Sequence, residues 1–125
     1  MKQTQTIIRL RRFRATAIRQ DDCTGIGVVE ENDNHETIAI YSVNIDGRLS
    51  NRETFKAIAE LVKAEVNEGE IAKIKATSVQ VKSAWLEPYR RQVIIRSYRM
   101  TPDYKEVIQL AEDAAERKSS ISEKF

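Results

Sequence analysis

Cysteine and histidine each occur once in this chain of 125 residues. A lone cysteine, Cys23, cannot close an internal disulfide, which agrees with a reducing compartment. With one histidine, His35, in a polar turn, a structural zinc site lacks its four sulfur or imidazole ligands. The same scarcity leaves no Ser-His-Asp set and disfavours histidine base catalysis. Glycine is also sparse, with four residues and no glycine-rich phosphate loop. Apolar runs span only a few residues, too few for a membrane helix. The opening stretch MKQTQTIIRLRRFR has no apolar signal-peptide core, so the expected location is cytoplasmic. No internal repeat or low-complexity segment is present.

What remains is an ordinary globular composition, 41% hydrophobic and 32% charged. The length suits one domain and is too short for two. The net charge is only +2, but it is unevenly spread. Arg9, Arg11, Arg12, Arg14 and Arg19 crowd the first predicted strand, and Arg90, Arg91, Arg96 and Arg99 crowd a later region. Acids gather in the predicted helices and around Glu30 to Asp33. Local basic strips attract phosphates more than net charge does.

Periodicity predicts β-β-β-α-β-α-β-α. Thr6 to Arg19 reads as a long first strand, with Phe13, Ala15 and Ala17 on one face and Arg12 and Arg14 on the other. Gly25 to Glu30 forms a second strand whose two glycines imply close backbone approach. Glu31 to His35 is a polar hairpin turn, and Thr37 to Ile45 a third strand. Ser50 and Glu53 make a capping box at the head of a helix running to Ala64, with Phe55, Ile58, Ala59, Leu61 and Val62 as its apolar stripe. Ile71 to Thr77 is a strand and Ser78 to Leu86 a short helix stopped by Pro88. Gln92 to Met100 is the last strand. Thr101 and Pro102 open a final helix carrying Val107, Ile108, Leu110, Ala111 and Ala114. Residues 1–117 form the single domain, and Lys118 to Phe125 is expected to be a disordered tail.

The runs DDCTGIGVV (Asp21 to Val29), SNRETFKAIAEL (Ser50 to Leu61), IKATSVQV (Ile74 to Val81) and TPDYKEVIQLAEDAA (Thr101 to Ala115), in this order and spacing, resemble the ribonuclease H family over roughly residues 13–117. The resemblance implies an α+β fold: a five-stranded mixed sheet, its first three strands antiparallel, with helices on its faces. It also implies a nucleic-acid site in which four acids hold two divalent metals roughly 4 Å apart. Matched residue by residue, the first acid is Asp21 or Asp22 and the helix acid is Glu53. The third falls on Ala76 or Thr77 and the fourth near Ile108. The family's mobile histidine falls near Met100. Two carboxylates are a poor set for two hard cations.

These matches imply a catalytically degenerate ribonuclease H-like domain that binds RNA, DNA or an RNA–DNA hybrid, or a protein that handles nucleic acid. Arg9, Arg11, Arg12, Arg14, Arg90 and Arg91 would meet phosphates, with Tyr89 or Trp85 touching sugar or base. One alternative is an active nuclease using magnesium or manganese, with Asp21, Asp22, Glu53 and an unmatched acid such as Asp103. Another is a protein-interaction or self-association module whose first strand pairs with a partner edge. Each acid also has a plain structural reading: Glu53 as a cap, Asp21 and Asp22 as turn residues.

Overall fold

The computed structural model describes residues 8–125. Thr6 and Ile7, at the head of the first expected strand, lie outside them. The strands are β1 (Arg9–Arg19), β2 (Cys23–Glu31), β3 (Thr37–Asp46), β4 (Glu70–Thr77), β5 (Val93–Ser97) and β6 (Ile121–Lys124). The helices are α1 (Asn51–Glu65), α2 (Ser83–Leu86) and α3 (Lys105–Arg117). All six strands form one sheet in the order β5-β4-β1-β2-β3-β6. The meander β1-β2-β3 is antiparallel, and β1, β4 and β5 run parallel.

Two expectations are corrected here. The sheet has six strands, not five, because Lys118 to Phe125 is ordered: β6 pairs antiparallel with β3 and covers what would be a bare edge. Furthermore, β1 is central, bonded to β2 on one side and β4 on the other. From Arg12 to Thr16 it is bonded on both sides, which leaves that stretch no free edge for self-association by strand pairing.

Smaller departures have local causes. Ser78 to Leu86 was expected to be helical throughout, but only Ser83–Leu86 is, since Ser78 adopts a left-handed backbone (φ 58) that no α-helix continues. Pro88 lies inside a 3₁₀ turn, Glu87–Tyr89. β5 stops at Ser97, well before Met100. Its partner among the described residues, β4, ends at Thr77, and the Tyr98 N–H bonds Ala76 O as the last rung. The Thr101 side chain makes no cap hydrogen bond. Pro102–Tyr104 instead forms a 3₁₀ turn that feeds α3.

Each sheet face is covered differently. On one face Phe13, Ala15, Val28, Tyr41, Ile74 and Ile95 pack with Phe55, Ile58, Ala59 and Val62 of α1 in the main core. The α1 start is built as its sequence requires, with both hydrogen bonds of the Ser50–Glu53 capping box formed. On the other face α3 packs chiefly against β2, β3 and β1. Gly25 and Gly27 make this possible. A Cβ on Gly27 would stand 2.0 Å from Val107 O and one on Gly25 2.1 Å from Ala111 O, so the helix backbone rests directly on β2. Because α3 lies over the β2–β3 side, the β4–β5 half of this face stays open.

Candidate functional site

The three matched carboxylates do not converge. Asp21 is fully exposed and lies 3.8 Å from Arg48. Asp22 pairs with Lys118 at 3.1 Å, and this partner holds its carboxyl below the usual range. Glu53 Oε1 accepts the Ser50 N–H at 3.0 Å, which likewise lowers its pKa. Asp103 sits 3.7 Å from Arg14, away from all three. Among the described residues no three His, Cys, Asp or Glu side chains are grouped to hold a metal ion.

The arginines of β1 divide by face. Arg11, on the α1 face, is only 13% exposed. It forms a bidentate pair with Glu30 at 2.7 and 2.8 Å, reaches Glu70 at 3.1 Å, and donates to Glu65 O. These carboxylates raise its pKa further above an already high value. Arg11 is therefore a strut between β1, β2 and β4. Arg14, on the opposite face, pairs with Glu31 and lies 5.4 Å over the Tyr104 ring. Arg12 is more open and pairs, among the described residues, with the exposed Asp33 alone, at 2.6 Å. Arg9 is 72% exposed, with Glu70 at 3.6 Å.

The aromatic candidates are mostly spoken for. Tyr89 is buried, and its hydroxyl donates to Glu60 at 2.8 Å; burial and this carboxylate push its pKa up to about 12. Trp85 is half-buried against Phe55 at 5.7 Å. Beside them, Arg90 pairs with Glu87 at 3.0 Å and Arg91 is exposed. The structure thus separates Arg90 and Arg91 from Arg12 and Arg14 rather than joining them into one strip.

No protein-family model matches this chain, and no curated protein matches it in sequence. Solved structures do. LC9 ribonuclease H1, a type 1 enzyme with the type 2 active-site motif, superposes with a TM-score of 0.67 at 13% identity, covering 98% of this chain and 80% of the other. LC11 ribonuclease H1, isolated from compost by a metagenomic approach, gives 0.63 at 11% identity, covering 90% and 99%. Ribonuclease H1 from the halophilic archaeon Halobacterium salinarum NRC-1 gives 0.60 at 12% identity, covering 84% and 96%. The LC11 enzyme was also solved in complex with an RNA/DNA hybrid. This chain has the ribonuclease H fold.

Within the ribonuclease H fold, the facing positions near the end of β4 and across from it in β1 hold small neutral residues. Ala15, Ala76, Thr16 and Thr77 are all buried there. Thr16 Oγ1 donates to Thr77 O at 2.9 Å. On the first turn of α1 the residue that turns inward is Thr54, not Glu53. Thr54 is buried, with Oγ1 donating to Ser50 O at 2.8 Å, whereas Glu53 faces solvent. Thr54 lies one residue beyond Glu53, so a one-residue shift of the match to the family's helix acid reaches it. Near the remaining positions, Ile108 packs beside Val29, Tyr104 and Val107, and Met100 is 60% exposed.

Sequence reasoning also missed Lys73 and Lys75. They alternate in β4 with the buried Ala72, Ile74 and Ala76, so they project to the open face beside Arg12 and Arg14. That alternation was visible in IAKIKAT.

Proposed function

We propose that this chain is a catalytically degenerate ribonuclease H-like domain that binds nucleic acid without cutting it. One observation carries the reading. The facing positions of β1 and β4 and the inward side of the α1 start hold buried neutral residues, Ala15, Ala76, Thr16, Thr77 and Thr54, and the Thr16 and Thr54 hydroxyls are already used within the protein. Metal-dependent phosphodiester cleavage needs convergent oxygen anions to hold and neutralise the cations. Asp21, Asp22 and Glu53 instead serve a turn, a lysine pair and a helix cap. Binding is supported by the likeness to an enzyme solved with an RNA/DNA hybrid and by the cations of the open sheet face.

The test is a cleavage assay with purified protein and a labelled RNA–DNA hybrid in magnesium and in manganese. The hybrid is expected to stay intact while fluorescence anisotropy reports binding. Cleavage that disappears in Glu53→Gln or Asp21→Asn would install the nuclease alternative instead.

A further inference from the structure

The geometry points to a single-strand nucleic-acid site on the open face of β1, β4 and β5, centred on Lys73, Lys75, Arg96 and Tyr98. This deepens the binding reading above and rests on it. In the register of the sheet, Arg14, Lys75 and Arg96 stand side by side across three strands. Arg12 and Lys73 stand side by side in the neighbouring row, next to Ile94. Paired residues in a parallel ladder share a face, and adjacent strands lie only about 4.8 Å apart. Five cations are therefore packed onto one small surface.

Like charges placed directly opposite in a sheet oppose folding, and the cure would be an interleaved carboxylate. On the β1 side this exists: Glu31 and Asp103 attend Arg14, and Asp33 attends Arg12. On the β4–β5 side it does not. Among the described residues no carboxylate pairs with Lys73, Lys75 or Arg96. Uncompensated charge on a rigid sheet is what an external polyanion would neutralise.

The neighbouring side chains narrow the polyanion. Tyr98 is 39% exposed at the end of β5, with Lys75 Nζ 5.6 Å from its ring centre. Ile94 is exposed to a similar degree in the row of Lys73. A flat sheet face with a cation beside an open aromatic ring suits a backbone phosphate and an unpaired base stacked next to it. A duplex hides its base faces and would leave Tyr98 unused. The apolar side chains stand singly among the cations, unlike the continuous apolar face that inserts into a lipid surface.

The experiment is an anisotropy titration at several salt concentrations with labelled single strands of about 12 nucleotides, RNA and DNA, and the matching duplex. The variant is Lys73→Gln/Lys75→Gln/Arg96→Gln, which removes charge but keeps length. Losing three phosphate contacts is expected to flatten the slope of log affinity against log salt by about two units. Tyr98→Ala is expected to weaken single-strand binding about tenfold and leave the slope unchanged. Arg52→Ala/Lys56→Ala, on exposed positions of α1 across the sheet, is the matched control and should bind like wild type. Circular dichroism confirms folding, and ultraviolet crosslinking to Tyr98 gives a readout in the unmutated protein.

Should the glutamine variant bind single strands like wild type, this face is not the site, though the nucleic-acid reading survives. Tighter binding of the duplex overturns the single-strand assignment alone. If wild type binds no oligonucleotide at low salt, both readings fall. Binding to phosphatidylserine-containing vesicles in place of oligonucleotides would assign the face to a membrane.

Discussion

Arg11 and Arg12 show how two residues of one class take opposite roles. Arg11 and Arg12 are adjacent in a run that reads as one basic strip. Strand alternation sends Arg12 to solvent and Arg11 under α1, where only partners make its charge tolerable. Glu70 is one of those partners, and it also accepts the Asn67 N–H at 2.9 Å. That backbone donor first, and Arg11 second, hold the Glu70 carboxyl below its ordinary value. A carboxyl lowered by folding contributes stability above its unfolded pKa, and this is lost as pH falls through the folded one. Glu70→Gln is therefore expected to be less stable than wild type at pH 7, and the gap should close as pH drops below about 4.3. Urea denaturation from pH 7 to pH 3 measures it. A gap that does not change with pH would mean that the Glu70 charge adds nothing.

Elements that announce themselves by local chemistry were legible in the sequence. The Ser50–Glu53 box, the hairpin at Glu31 to His35, and the two glycines of β2 act through neighbours in sequence or through their own missing side chain. Elements set by distant partners were not. β5 ends where β4 runs out, and Ser78 takes a left-handed backbone that its residue type does not advertise. β6 is the extreme case. ISEK has no buried side chain, and only the bare edge of β3 makes a strand of it. Its attachment includes ladder bonds and the Lys124–Glu65 pair at 2.9 Å, and just before it Ser120 Oγ accepts the Asn44 N–H at 3.0 Å. Net contributions of such backbone bonds are about 1 kcal/mol each, and an exposed pair adds less. Removing residues 119–125 is expected to cost about 1–2 kcal/mol and leave the domain folded. The exposed β3 edge should then favour association. Thermal melting and size-exclusion chromatography over a range of concentrations check both halves. Complete unfolding would instead make β6 integral to the domain.

For the whole molecule, the open face follows from where α3 can lie. Two glycines let its backbone settle on β2, and that seat draws the helix towards β3 and away from β4 and β5. Glu53 and its neighbour Thr54 are separated by packing as well. A one-residue shift on α1 exchanges the solvent-facing Glu53 for the buried Thr54, and only the packing of α1 on the sheet decides between them. The same architecture sets stability against binding on the uncovered half. Lys75 stands between Arg14 and Arg96, so a carboxylate there would meet a cation on each side. Lys75→Glu is expected to add about 0.5–1 kcal/mol by replacing like-charge neighbours with opposite ones. For a domain of this size that is a rise of about 2–4 °C in melting temperature. The same change puts a negative charge at the centre of the anion-binding surface and should weaken single-strand affinity, most steeply at low salt. Melting curves and anisotropy titrations on one preparation test the pair of outcomes together. Stability rising while affinity falls marks these cations as kept for a ligand. A melting temperature that falls instead would make Lys75 a structural residue and remove the argument from uncompensated charge.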